Sequence, residues 1–150
     1  MKYVSGSTGR VLIVRLEDGE IIHEEIESLA AREGILQASV TVVGGVDEES
    51  ILVVGPEEGR AEEIVPMRYT LQNVYEVTGT GTLFPDDEGK PTLHLHLACG
   101  RNGETVTGCV RTGVRVWQVL EVVITEITGC RAERRYDEAT GFKLLMPLTQ

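Results

Sequence analysis

Leu93-His94-Leu95-His96-Leu97, then the turn Gly100-Arg101-Asn102-Gly103, then Gly108-Cys109-Val110, is the stretch on which the reading of this chain depends. Strict alternation of leucine and histidine is the pattern of a half-buried β-strand. Successive side chains point to opposite faces, so three leucines enter one layer and both histidines share the other. Asn102-Gly103 is a strong two-residue hairpin signal, because a type I′ turn needs φ > 0 at both central residues. A turn at that pair sets the register: Arg101 opposite Glu104, Cys99 opposite Val106, Leu97 opposite Gly108, His96 opposite Cys109, Leu95 opposite Val110 and His94 opposite Arg111. His94, His96 and Cys109 are thereby predicted on one surface. Two imidazoles and a thiolate are donors that suit zinc or a similar divalent metal. The same residues also read without a metal, as the polar side of a sheet and a small buried apolar cysteine, since an H-x-H strand is less specific than paired C-x-x-C motifs. Cys99, three residues from His96, points with the leucines and is expected in the core.

Working outward, 150 residues are enough for one domain with a real hydrophobic core, and no linker, repeat or second core is visible. Hydrophobic content of 41% with 25% charged residues is that of a water-soluble globular protein. Three cysteines are an odd number without framework spacing, which points to a reducing, cytoplasmic setting. Met1 to Ser7 shows no apolar signal core, and no apolar run approaches membrane-spanning length. A formal net charge of −10 disfavours nucleic acid, whose phosphates call for a lysine and arginine surface. Arg131, Arg134 and Arg135 are the best local basic patch, and read more simply as a solvated charged loop.

Along the chain, Val11–Leu16 reads as a first strand ended by Asp18-Gly19. A helix follows over roughly Glu20 to Glu33, with Ile22, Ile26, Leu29 and Ala30 at helical spacing, acidic residues in its first half and Gly34 as the stop. His23 on this helix is expected to be solvated. Strands are expected over Ile35–Val46, with Gly44-Gly45 marking a bulge or a close backbone approach, and over Ser50–Val54. An extended segment is expected within Glu62–Gln72, and an alternating strand over Asn73–Leu83. In that last strand Gly79 and Gly81 imply tight packing on one face, a face able to accept a neighbouring subunit. Pro85–Lys90 is a polar hairpin tip, Val114–Ile124 a long strand that could carry a bend, and Phe142–Met146 a final short strand. The expected architecture is α+β: one main helix packed on a curved, largely antiparallel sheet.

With these elements placed, the chain resembles the PPC (plants-and-prokaryotes conserved) domain, a domain of unknown function, in a prokaryotic stand-alone form. The resemblance runs from about Gly9 to Gly141. It rests on Gly9-Arg10 before a strand, Asp18-Gly19-Glu20, Gly34-Ile35, Asn73-Val74-Tyr75-Glu76-Val77-Thr78, Pro91 to Gly100, Gly108-Cys109-Val110 and Glu121-Val122-Val123-Ile124. It implies a compact α+β fold assembled as a homotrimer. In plant members the domain accompanies an AT-hook and mediates self-association and partner binding in the nucleus. No Arg-Gly-Arg-Pro AT-hook exists here, so that DNA-binding role does not carry over. The family usually has histidine after the glycine pair that follows the H-x-H strand; Thr107-Gly108-Cys109 stands in that place, which alters the metal site implied for some prokaryotic relatives without abolishing it. Glu76 matches a position of the plant partner-binding segment. Its parity could bring it to the histidine face as a fourth ligand, or as an acceptor that fixes an imidazole tautomer; it reads equally well as an interface or surface carboxylate.

Three functions follow. The leading one is a non-enzymatic homotrimeric binding module with regulatory character, holding a metal and meeting a small ligand or protein partner; no nucleophile–base set is legible. The alternative is a metal-dependent enzyme acting on a small molecule, with three protein ligands, an open position for water, and Glu76 or Arg111 handling protons or anions. DNA binding is the third, opposed by the charge balance.

Overall fold

The computed structural model describes residues 1–148. Strand β1 (Ser7–Glu17) leads into the helix α1 (Ile22–Glu33). Strands β2 (Ala38–Val46), β3 (Ile51–Pro56), β4 (Pro66–Thr70), β5 (Tyr75–Pro85), β6 (Pro91–Arg101), β7 (Glu104–Val110) and β8 (Val116–Thr128) follow, and β9 (Ala132–Asp137) and β10 (Phe142–Pro147) close the described chain. The first eight strands form one open sheet in the order β1-β8-β2-β5-β6-β7-β3-β4, and β9 and β10 form a hairpin of their own. Neighbours in the large sheet run antiparallel. The architecture is thus the expected α+β arrangement of one helix and a largely antiparallel sheet. Among the described residues no helix is long and apolar enough to cross a membrane.

The sheet has two unlike faces, and period-2 alternation creates them. On β6, Leu93, Leu95, Leu97 and Cys99 are buried, whereas His94 is half-buried and His96 exposed. Leu95 and Leu97 join Val40, Val42, Leu120, Val122 and Ile124 from neighbouring strands in one buried cluster, together with Ile22, Ile26 and Ala30 of α1. Full burial of a leucine contributes about 1.5–3 kcal/mol, so this inner layer carries most of the fold. The helix is held over β6 by a polar contact as well: the Leu93 amide donates to Glu27 Oε1 at 2.9 Å.

Several expectations shift at element ends. The helix begins at Ile22 rather than Glu20, because Ile21 is extended and bridges to Arg115, while the Glu20 carbonyl accepts from the Val116 amide. Gly34 at φ 68° ends it as expected. His23 is only partly solvated: its Nδ1 is buried without a hydrogen-bond partner among the described residues, and its Nε2 lies 4.0 Å from the exposed Glu24. The extended segment within Glu62–Gln72 contracts to Pro66–Thr70. The long strand runs Val116–Thr128 and does bend. Gln118 has φ 58°, and the β2–β8 register shifts between Gly44 and Gly45. A Cβ on Gly44 would lie 2.4 Å from the Val119 carbonyl oxygen, so the close approach read from the glycine pair is real.

Gly79 and Gly81 carry a correction. A Cβ at Gly79 would meet Leu97 Cδ2 at 2.5 Å, and one at Gly81 would meet the His94 carbonyl at 2.5 Å. The tight packing they imply is therefore met within the chain, by Leu97, Val42 and the β6 backbone. The surface that is open is the other one. Val11, Ile13 and Val43 stand 55%, 78% and 54% exposed there, aligned by pairing across β1, β8 and β2.

Candidate metal centre

The β6–β7 hairpin forms with the register that its turn dictates. Asn102 and Gly103 have φ of 53° and 82°. Arg101 pairs with Glu104, Cys99 with Val106, Leu97 with Gly108, His96 with Cys109 and Leu95 with Val110; the ladder ends there, so Arg111, expected opposite His94, lies just beyond the last pair. On the other side Thr80 pairs with His96 and Thr82 with His94, so these threonines, the histidines and Cys109 share the outer face of the sheet.

Within that face the ligand atoms of His94, His96 and Cys109 all lie within 4.8 Å of one another. The two histidine Nε2 atoms are 3.1 Å apart, with the ring centroids separated by 5.0 Å and the planes inclined by 64°. Bonds of about 2.0–2.1 Å to nitrogen and about 2.3 Å to sulfur at tetrahedral angles place two nitrogens roughly 3.3 Å apart, and a nitrogen and a sulfur roughly 3.6 Å apart. The nitrogen pair already meets that spacing, and a small rotation of the side chains brings in the sulfur. The residues therefore fit a tetrahedral ion with three protein donors and one open position.

The electrostatics prepare the donors unequally. Burial first, then Arg134, Arg111 and His96, lower the proton affinity of His94, which keeps its imidazole neutral with a lone pair to offer. Burial pushes the Cys109 thiol up, and the positive charges of Arg111 and Arg134 pull it partly back. Cys99, with no such neighbours, is pushed by burial to about 11. It lies in the inner layer, 0% exposed, as its parity requires.

Glu76 does not join the cluster. It pairs with Gly100 and Gly45, four residues along β5 from Thr80 and hence about 13 Å away along the strand. There it lines a shallow groove with Trp117, Arg101 and Thr105. Parity placed it on the correct face, but at the far end. Arg111 follows β7 and acts on both His94 and Cys109.

Arg134 is the residue that sequence reasoning missed. The stretch around Arg131, Arg134 and Arg135 is not a solvated loop: Arg134 and Arg135 lie in β9, and Arg134 is only 7% exposed. Its Nη2 donates to the Thr82 carbonyl at 3.3 Å and to Thr82 Oγ1 at 3.1 Å, and its guanidinium lies 5.9 Å from the Phe84 ring centre. The usable signal was the predicted strand at Phe142, which needs a partner and finds it in Ala132–Asp137.

Comparison with known proteins bears on this fold and site. A metal-containing protein from Archaeoglobus fulgidus superimposes with a TM-score of 0.83 at 25% identity, over 97% of this chain and 99% of that one. A plant- and prokaryote-conserved protein from Pyrococcus horikoshii does so with a TM-score of 0.82 at 24% identity, over the full length of both. A candidate DNA-binding protein from Bacteroides thetaiotaomicron follows with 0.74 at 18%, over 94% and 96%. No curated protein sequence matches the chain. Residues 3–128 match the family model of the Plants and Prokaryotes Conserved (PCC) domain. With that match spanning most of the chain, on the fold and hairpin described above, the protein belongs to the PCC (PPC) domain family.

Proposed function

We propose that this protein is a cytoplasmic, homotrimeric binding module that holds one zinc-like divalent ion per chain through His94, His96 and Cys109. The observation that carries the metal reading is the convergence of three ligand atoms within 4.8 Å on one hairpin. The metal-containing relative from Archaeoglobus supports it. Support for self-association comes from the bare outer face at Val11, Ile13 and Val43 and from the free edges at β1 and β4, features that isolated domains cover or blunt. A ring of subunits covers such a face and removes such edges. The other end of the outer face, around His94, His96 and Cys109 on β6 and β7, is where a small ligand or protein partner binds.

A second reading, a metal-dependent enzyme, draws on the open fourth position, where a bound water would be activated. Chemistry there would use Arg111 rather than Glu76, which lies at the other end of the strand. DNA binding is the weakest reading, because a chain of net charge −10 lacks the usual counterion-release drive.

Elemental analysis joined to sedimentation equilibrium tests the proposal. The expected result is about one zinc-like ion per chain on a species of three chains. A metal-free protein after reconstitution would end the metal reading, and a monomer at micromolar concentration would end the trimer.

A further inference from the structure

The corner of the outer face that holds the metal donors has a charge problem. Arg134 is 7% exposed, yet its protein acceptors are neutral: the Thr82 carbonyl and hydroxyl at 3.3 and 3.1 Å, and the Thr92 carbonyl at 3.5 Å from Nε. These contacts fix the plane of the guanidinium and use Nε and Nη2. Nη1 has no protein acceptor among the described residues, although a guanidinium carries five N–H donors. The ion pairs of the described residues include neither Arg134 nor Arg111. In a chain with 24 acidic residues against 14 lysines and arginines, the charged neighbours that act on His94, Cys109 and Arg134 are Arg111 and Arg134 themselves, with His96 and the thiol; no carboxylate is among them.

A divalent ion held by two neutral imidazoles and one thiolate has a net charge of +1, and the two guanidiniums raise the corner to +3. A buried charge without a counterion is unfavourable, and Nη1, whose two N–H groups are unspent, can donate charge-assisted hydrogen bonds to a carboxylate or phosphate oxygen. We propose that Arg134 and Arg111 bind a small oxyanion, a carboxylate or a phosphate monoester, beside the His94–His96–Cys109 cluster, with one oxygen of the anion placed to fill the open position on the metal. The second contact rests on the metal reading; the first stands on the arginines alone. The recognised ligand of the module is therefore anionic, in spite of the acidic charge of the chain.

Isothermal titration calorimetry at low salt, on the full chain both zinc-loaded and chelator-treated, uses methyl phosphate and acetate as probes; whichever binds more tightly names the class. The expected result is saturation at one anion per chain with a dissociation constant of about 1 mM or tighter, and tighter binding in the zinc-loaded form. Arg111→Gln, at an exposed position, should weaken binding about tenfold or more when measured on protein held at saturating zinc, since a charge-assisted contact is lost. Arg134→Lys, which keeps the charge but loses the guanidinium's contacts to Thr82 and Thr92 together with the free Nη1, should weaken it too. Zinc uptake with no saturation by either probe overturns the anion site and leaves the metal reading standing. Saturation with no zinc uptake does the reverse. Binding indifferent to both substitutions also overturns the proposal.

Discussion

Cys99 and Cys109 lie on paired strands of one hairpin, both buried and both held as thiols, yet they belong to different parts of the molecule. Cys99 sits in the inner layer with Leu95 and Leu97, and burial is what raises its proton affinity. Cys109 is almost as well buried, but its neighbours are two imidazoles and two guanidiniums. One residue of strand parity separates a core thiol from a metal donor. In a sheet with one covered face, chemistry is assigned by register before it is assigned by residue type.

The contrast is broken most severely from the inner side. Leu95→Ala empties a fully buried position between the two histidines and should cost about 2–5 kcal/mol in denaturant unfolding. The metal-free and metal-loaded proteins should lose about equally, because the substituted side chain does not touch the donors. A loss seen only in the metal-loaded protein would mean that the two faces are not separable.

Next in size is the cysteine pair itself. Cys109→Ala should abolish most zinc binding and with it the thermal stabilisation that zinc confers, leaving the metal-free protein close to its original stability. Cys99→Ala should do the opposite, keeping zinc and lowering stability by about 1 kcal/mol through lost packing. Competition with a zinc chelator measures the first, and urea unfolding the second.

The hairpin was legible because two local rules over-determine it. Asn102-Gly103 fixes the turn, and leucine–histidine alternation fixes the faces, so every pair from Arg101–Glu104 to Leu95–Val110 follows. The helix body was legible from Ile22, Ile26 and Ala30, but not its start, which a long-range bridge from Ile21 to Arg115 decides. Glu76 was misplaced for a different reason: parity gives the face of a side chain, while its position along the strand follows from the β5–β6 register, and counting back from the Pro85–Lys90 tip sets Glu76 beside Gly100, away from the histidines. Arg134 was hidden more deeply. Nothing in Ala132–Asp137 alternates cleanly, and its burial comes from a hairpin folding back over Phe84 and Thr82, a tertiary contact without a local signature.

Acid sharpens the contrast with a smaller effect. Metal binding needs a neutral His94 and a deprotonated Cys109, so protons compete with the ion. Below the thiol's pKa and above the histidine range, apparent zinc affinity should rise about tenfold per pH unit if one proton leaves Cys109. An affinity flat with pH would point to a site without the thiolate.

Smallest is an effect away from the site altogether. Glu126 accepts from the Arg10 guanidinium at 2.9 Å, and these hydrogen bonds hold its carboxyl at about 2, below its ordinary value of 4.5. A carboxyl depressed in the folded state contributes stability that is present above pH 4.5 and lost as pH falls toward 2. Glu126→Gln should flatten that limb of the acid unfolding curve slightly, and equally with or without zinc. A zinc-dependent change would show coupling between this pair and the outer-face cluster.

X-ray absorption at the zinc edge reads the donor set itself. The His94–His96–Cys109 assignment predicts, for the wild-type protein, two nitrogens at about 2.0–2.1 Å, one sulfur at about 2.3 Å and one further light atom, with the sulfur lost in Cys109→Ala and kept in Cys99→Ala. A first shell without sulfur, or a sulfur that survives Cys109→Ala and disappears in Cys99→Ala, would contradict it.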